Sequence, residues 1–217
     1  MNIAKLRERI LADTTFEPAG DLVPEIRLLL ATTPREILRE AAIQRVPRGE
    51  PPYWAFAWPG GQALARYILD NAALVAGKIV LDVGAGSGIA AIAAMRAGAL
   101  SCIANDVDAL SAAAVSLNAQ GNGVRVDVNG DDLLDSEPAA DMLIIGDLVY
   151  EPRLELRVGA FLRAATARGV PVLFGDRSSS KLPPLPFVQV AQYETIVAPP
   201  LEDGWVEVAR VWRLDPA

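Results

Sequence analysis

The stretch Val80-Leu81-Asp82-Val83-Gly84-Ala85-Gly86-Ser87-Gly88 decides the fold of this chain. Its apolar first half predicts a buried strand, and its alternating glycines predict a tight turn into the Ala- and Ile-rich segment that follows. A second apolar run ends at Asp106, twenty residues after Gly86. An acid at the end of that strand can accept hydrogen bonds from two ribose hydroxyls, so the pattern predicts a nucleoside site.

The spacing of the glycines separates two classes of nucleoside cofactor. Dinucleotide-binding turns use G-x-G-x-x-G, whereas this turn is G-x-G-x-G with Asp82 two residues before the first glycine. An acid beside the turn would repel a pyrophosphate, and it suits a ligand that carries an ammonium and a sulfonium. A nicotinamide-dependent dehydrogenase is therefore disfavoured.

The turn and its following acid resemble motif I of the seven-strand methyltransferases that use S-adenosylmethionine. The resemblance implies that this cofactor is bound at Asp82, Gly84, Gly86 and Gly88. It also implies that Asp106 binds the ribose and that Val107 lines the adenine pocket. Asp106 could instead cap the next helix, but Asp108 is available for that role.

Two acids, Asp131 and Asp132, follow the third predicted strand. The resemblance implies that an acid here meets the adenine amino group, and we prefer Asp131 for that contact. A solvated loop acid is the alternative.

The fourth strand ends in Asp147-Leu148-Val149-Tyr150, on the substrate side of such a sheet. This segment resembles the Asp/Glu-x-x-Tyr/Phe motif of methyltransferase family sixteen, whose members mostly methylate lysines in proteins. The resemblance implies that Asp147 and Tyr150 are catalytic, with Asp147 aligning the lysine and Tyr150 either closing the pocket or accepting a hydrogen bond. The alternative is that Asp147 caps the helix beginning near Pro152 and that Tyr150 is a packing residue.

An aromatic segment, Pro52-Tyr53-Trp54-Ala55-Phe56-Ala57-Trp58-Pro59-Gly60-Gly61, precedes the first strand. It resembles the family members that act on the β subunit of electron-transfer flavoprotein, which implies that subunit as the protein partner. Trp58 would then wall the cofactor pocket, and an aromatic core cluster is the alternative. A methyltransferase for another protein, such as a ribosomal protein, or for a small amine remains open. So does a cofactor-binding module without catalysis.

Composition narrows the chemistry further. The net charge of −7 and pI near 4.7 disfavour a nucleic-acid substrate. The absence of histidine excludes an imidazole base, and with Cys102 as the sole cysteine no metal site is expected. No apolar run reaches the length of a membrane span, and residues 1–10 lack the apolar core of a secretory signal. A cytoplasmic protein is expected.

The order of elements predicts an α/β fold of the Rossmann-like, seven-strand methyltransferase type. Its sheet is expected to be mostly parallel, with a C-terminal antiparallel hairpin at 187–197 and 205–214 and with N-terminal helices. We expect a single domain over 1–217: a helical N-terminal cover (1–45), an aromatic loop and helix (46–77) and the core (78–217). The parallel strands are predicted at 78–83, 101–105, 124–128, 141–146 and 170–175.

Overall fold

A computed structural model describes residues 3–32, 52–149, 152–177, 182–196 and 206–216. The helices are α1 (Ile3–Asp13), α2 (Pro59–Asp70), α3 (Ile89–Arg96), α4 (Ala109–Gly121) and α5 (Pro152–Ala167), with short 3-10 turns at Tyr53–Ala55 and Ala72–Leu74. The strands are β1 (Thr14–Pro18), β2 (Arg27–Ala31), β3 (Ile79–Val83), β4 (Ser101–Asn105), β5 (Asp127–Asn129), β6 (Met142–Gly146), β7 (Val172–Arg177), β8 (Val188–Ile196) and β9 (Val206–Leu214).

Seven of these strands form one sheet in the order β5-β4-β3-β6-β7-β9-β8. The strands from β5 to β7 run parallel, while β9 is antiparallel to both β7 and β8. The predicted fold class is therefore confirmed. Since the order reverses on either side of β3, the carboxyl ends of β3, β4 and β6 open onto one crevice, where open α/β sheets bind ligands.

The central strand β3 faces two cores. Val80 packs with the Ala-rich helix α3 on one face, while Leu81 and Val83 pack with Phe161 of α5 on the other. Asp82 points to the α3 face, where its Oδ2 accepts a hydrogen bond from the Ala91 backbone N–H at 3.1 Å. The alternation of a strand thus places the one acid of β3 beneath the first turn of a helix.

The N-terminal region departs from the helical prediction. α1 confirms its first part, but β1 and β2 form a separate antiparallel pair, so the prediction for these residues was wrong. The apolar run around Leu28 and Leu29 is buried on both faces. It carries a strand because its free edge is paired by the side chains of Asn118 in α4 and of Asn122 just after α4. The part of the predicted helical cover beyond residue 32 lies outside the described residues.

Two further boundaries differ from prediction. The strand predicted at 124–128 is observed at Asp127–Asn129, because the Val124 N–H still bonds to the Ala119 carbonyl at the end of α4. The helix expected in the second half of the 46–77 segment ends at Asp70 and is followed by a 3-10 turn at Ala72–Leu74. Within the described ranges, no helix combines the length and the apolar character that a membrane crossing requires.

Candidate active site

A cleft of about 840 Å³ opens at the carboxyl ends of β3, β4, β6 and β7. Of the residues predicted from the sequence to form the site, those that line the cleft are Trp58, Asp82, Gly84, Gly86, Asp106, Val107 and Asp147. Gly88 and Asp131 lie outside its lining, and Tyr150 lies outside the described residues. The structure therefore brings the two predicted halves of the site, cofactor and substrate, into one cavity.

The glycine turn owes its shape to left-handed backbone at three alternate positions. Gly84, Gly86 and Gly88 have φ values of 71°, 52° and 79°, which residues with a Cβ adopt only with strain. The N–H groups of Gly84 and Ala85 both donate to the Asn105 carbonyl, at 2.9 and 3.0 Å. The turn is thereby fastened to the end of β4, next to the acid that follows it.

Asp106 is built into this arrangement rather than left free. Its Oδ2 accepts a hydrogen bond from the Gly86 N–H at 2.9 Å, and its Oδ1 accepts one from the Asp108 N–H at 3.0 Å. Burial raises the pKa of this carboxyl above its usual range, and the two N–H donors oppose that rise. A carboxylate has about four acceptor positions, so Asp106 can still accept a hydrogen bond from a ligand beyond those of the protein. Asp108 caps α4 through the Leu110 N–H, as the sequence predicted.

Asp82 is a buried acid on the wall of the cleft. Its residue is 2% exposed, and burial raises the pKa of its carboxyl to about 7, against the Ala91 hydrogen bond that lowers it. The nearby charge of Asp106 raises it further. Such an acid gains from a cation bound in the cleft, because an opposite charge favours its ionised form.

The cleft wall that follows β4 and β5 carries Val107 and Asp132, together with Arg157 and Asn105, which the sequence analysis did not single out. Val107 is 58% exposed at the rim of the cleft, so its apolar side chain is accessible to a ligand. Asp132, and not Asp131, lies on the cleft wall, where its carboxylate contacts Arg157 at 3.0 Å. Asp131 contributes its backbone carbonyl, which accepts a hydrogen bond from Asn105 Nδ2 at 2.8 Å.

Trp58 lies at the other end of the cleft, immediately before α2. Its Nε1 donates a hydrogen bond to the Tyr53 carbonyl at 2.9 Å, and the two rings meet edge to face with centroids 5.8 Å apart. Phe56 is buried behind it, 5.5 Å between centroids. Trp54 is also buried. The aromatic segment is thus both a core cluster and a cleft wall, with Trp58 and Tyr53 on the wall.

Asp147 follows β6 with an unusual backbone. Among the described residues other than glycine, Asp147 alone has a left-handed φ, of 49°. Asp tolerates this conformation better than most residues. Its Oδ2 accepts a hydrogen bond from the Gly61 N–H at 3.1 Å, in the first turn of α2. Its Oδ1 is buried and has no hydrogen-bond partner among the described residues. Burial raises the pKa of this carboxyl to about 7, while the Gly61 N–H and the charge of Arg177 lower it.

The first turn of α2 reaches Asp147 because glycines meet on both sides of the contact. A Cβ on Gly175 would lie 2.2 Å from the Gly60 carbonyl oxygen, and a Cβ on Gly60 would lie 2.7 Å from each Asp147 oxygen. Sequence reasoning missed this contact. No local pattern pairs Gly60 with Gly175, because the two residues lie far apart in the chain.

Comparison with known proteins identifies methyltransferases that are similar to this chain in sequence. A family model described as Ribosomal protein L11 methyltransferase matches residues 63–152. The Electron transfer flavoprotein beta subunit lysine methyltransferase of Xenopus laevis is 35% identical over 94% of this chain and 84% of its own length. The protein of the same name from Mus musculus is 38% identical over 79% of this chain and 68% of its own length.

This chain belongs to the electron transfer flavoprotein beta subunit lysine methyltransferase family. Solved structures agree with the family at the level of the fold. The magnesium protoporphyrin IX methyltransferase of Synechocystis, solved with bound S-adenosylmethionine, superposes with a TM-score of 0.52 at 15% identity, covering 71% of this chain and 79% of its own. This superposition shows a shared methyltransferase fold, to which the seven-strand sheet observed here belongs.

Proposed function

We propose that this protein transfers a methyl group from S-adenosylmethionine to a lysine of the electron-transfer flavoprotein β subunit. The observation that carries the proposal is one cleft shared by the glycine turn with Asp106 and by Asp147, in a chain of this family. The relatives' names supply the substrate, and the cleft supplies the chemistry that such a substrate needs.

The cofactor half of the cleft suits S-adenosylmethionine. Its volume lies within the range of small-molecule sites, and Asp106 retains acceptor positions for the ribose hydroxyls. Asp82 and the turn of Gly84, Gly86 and Gly88 would border the methionine part, with Trp58 as a wall and Val107 against the adenine. We propose that an acid of the loop after β5 contacts the adenine amino group. Asp131 was predicted for this contact, but Asp132 is the acid of that loop that lies on the cleft wall.

When bound, S-adenosylmethionine supplies a methyl group activated by a sulfonium for in-line displacement. The protein must then hold a lysine in line and free it of a proton. Neutralising a lysine of ordinary pKa at pH 7 requires about 4–5 kcal/mol. In our proposal Asp147 holds and aligns the lysine nitrogen through Oδ1, Tyr150 closes the pocket, and the proton leaves through water. Because an anion alone raises a lysine pKa, burial and the cofactor's positive charge must lower it.

The first experiment uses the purified protein, methyl-labelled S-adenosylmethionine and purified electron-transfer flavoprotein. We expect labelled β subunit with the wild type and no label with Asp147→Ala. The matched control is Asp127→Ala, an exposed acid at the amino end of β5, on the opposite edge of the same sheet. If the β subunit stays unlabelled and another protein in a whole-cell extract is labelled, the methyltransferase activity is supported and the proposed substrate is wrong.

A ribosomal protein is the second candidate substrate. The family model over residues 63–152 carries the name of ribosomal protein L11 methyltransferase, and the enzyme of that name from Halorhodospira halophila is 43% identical over 97 residues. That match covers 41% of this chain and 33% of the relative, so it weighs less on the substrate than the longer matches. The same labelling assay with purified L11 separates the two substrates.

We also propose that residues 1–217 act as one domain. α1 and β2 both pack against α4, and Asn118 of α4 links β2 to the glycine turn. The cytoplasmic location stays a prediction from the sequence, in keeping with the buried free thiol of Cys102.

A further inference from the structure

The charges around the cleft are strongly unequal. Among the described residues, five acids line it, Asp82, Asp106, Asp108, Asp132 and Asp147, against two cations, Arg157 and Arg177. A cleft of this kind favours a cationic ligand, and S-adenosylmethionine brings an ammonium and a sulfonium. The cofactor also brings one carboxylate, and a buried carboxylate requires a donor of its own. A protein substrate can bring a carboxylate on an acidic side chain.

One of the two cations is already committed. The Arg157 guanidinium contacts Asp132 at 3.0 Å and Asp135 at 2.6 Å. These contacts hold the loop after β5 against α5. Arg157 therefore has anionic partners within the protein and is a poor candidate for an anion of the ligand.

Arg177 differs from Arg157 in each of these respects. Within the described ranges, the Arg177 guanidinium makes neither a hydrogen bond nor an ion pair, although its charge lowers the pKa of Asp147 from a distance. Its guanidinium carbon lies 5.5 Å from the centroid of the Trp58 ring. Stacking on an aromatic face fixes the plane of a guanidinium and leaves its N–H groups free at the edge, which is the geometry that binds a carboxylate.

The position of Arg177 joins the two halves of the site. It ends β7, next to the strand that carries Asp147, and Trp58 beneath it is tied to the Tyr53 carbonyl. That carbonyl oxygen is 4.0 Å from the point where a Cβ on Gly86 would lie. An anion held at Arg177 would thus lie between the cofactor turn and the acid proposed to hold lysine.

We propose that Arg177 binds a carboxylate in the active-site cleft. The inference rests on the proposed function, which supplies two sources of that group: the amino-acid end of the cofactor and an acidic side chain of the substrate protein. The stack on Trp58 orients the guanidinium, and the surplus of acids elsewhere in the cleft directs the ligand's positive charges away from it.

The test measures binding of S-adenosylmethionine and of its decarboxylated analogue by titration calorimetry, with the wild type, Arg177→Met and Arg177→Lys. The matched control is Arg153→Met, an exposed arginine of α5. If the cofactor is the source, the wild type binds S-adenosylmethionine about 10- to 100-fold more tightly than the analogue. Arg177→Met reduces this preference to about twofold, Arg177→Lys keeps part of it, and Arg153→Met keeps all of it.

The second arm measures methylation of the protein substrate. If the substrate is the source, Arg177→Met raises the KM for that protein about 10-fold or more and leaves the cofactor preference unchanged. The proposal would be overturned if the Arg177→Met variant folds normally and changes neither the preference for S-adenosylmethionine over its analogue nor the KM for the protein substrate. Because the first arm requires binding alone, failure to methylate electron-transfer flavoprotein counts against the proposed function and leaves the carboxylate assignment standing.

Discussion

Asp82 and Asp147 are alike in environment and unlike in backbone. Both are acids at the cleft, both accept a hydrogen bond from the first turns of a helix, and burial raises the pKa of each to about 7. Asp82 lies within β3 in ordinary extended backbone. Asp147 lies just past β6 with φ of 49°, and its Oδ1 has no partner among the described residues.

The difference indicates two roles for similar chemistry. An acid inside a strand is positioned by the sheet itself and contributes a fixed negative charge. An acid in strained backbone with a vacant acceptor is held there by the surrounding structure, and strain of this kind concentrates at functional sites. We therefore expect replacements of Asp82 to affect cofactor binding and replacements of Asp147 to affect turnover.

The largest effect is expected from Asp147→Ala. We expect kcat to fall about 100- to 1000-fold, as for removal of one positioned polar group, with the Kd for S-adenosylmethionine changed less than about threefold. Asp82→Ala should show the reverse pattern, a weaker cofactor complex with kcat less affected at saturation. Single-turnover kinetics and titration calorimetry measure the two quantities. An equal loss of cofactor affinity in both variants would remove the distinction between the acids.

Gly60→Ala tests whether the contact with α2 sets Asp147. A Cβ there would lie 2.7 Å from both Asp147 oxygens and from the Gly175 carbonyl oxygen, so either the helix or the acid must move. Overpacking of this kind lowers the free energy of unfolding by about 1–3 kcal/mol. We expect kcat to fall with it, while cofactor affinity stays close to that of the wild type.

Gly130→Ala is the control for Gly60→Ala. A Cβ on Gly130 would lie 4.0 Å from the Asp106 carbonyl oxygen, which is an ordinary contact. The free energy of unfolding, measured by thermal denaturation, should therefore change by less than about 0.5 kcal/mol. If Gly60→Ala were equally mild, α2 would be shown to adjust without moving Asp147.

The same contrast decides how much the sequence could predict. The cofactor half follows from one contiguous pattern, since strand, turn and helix are local and Asp106 ends the next strand. The contact of Gly60 with Gly175 joins residues far apart in the chain, and no local pattern encodes it. Arg177 on Trp58 was missed for the same reason. The β1–β2 pair was missed because its edge is completed by the amides of Asn118 in α4 and of Asn122 just after α4, a tertiary interaction that overrides the local apolar spacing.

Asn118 offers a third way to separate the two halves. It is fully buried, accepts a hydrogen bond from the Leu29 N–H at 2.8 Å, and donates one to the Ser87 carbonyl of the glycine turn at 2.9 Å. Asn118→Ala leaves both backbone groups without partners, which destabilises the fold by about 1–3 kcal/mol. We expect weaker cofactor binding with kcat retained at saturation.

Ser116→Ala is the matched control on the same helix, because the exposed Ser116 hydroxyl bonds only within α4. Its unfolding midpoint and cofactor affinity should match those of the wild type. A loss of kcat in Asn118→Ala at saturating cofactor would show that the N-terminal strands also support the substrate half.

The smallest effect, a fraction of a proton, tests which acid meets the cofactor's positive charge. With a pKa of about 7, Asp82 is near half protonated at neutral pH. A cation bound beside it lowers that pKa, so binding of S-adenosylmethionine at pH 7 should release up to about 0.5 proton. The release should diminish above about pH 8, where the acid is already ionised, and cofactor affinity should rise as the pH rises through 7. Calorimetry in buffers of different ionisation enthalpy measures the released proton.

Asp82→Asn should abolish the release and Asp147→Asn should keep it, because Asp82 borders the glycine turn and Asp147 faces α2. The opposite result would place the sulfonium nearer to Asp147 and exchange the roles assigned to the two acids.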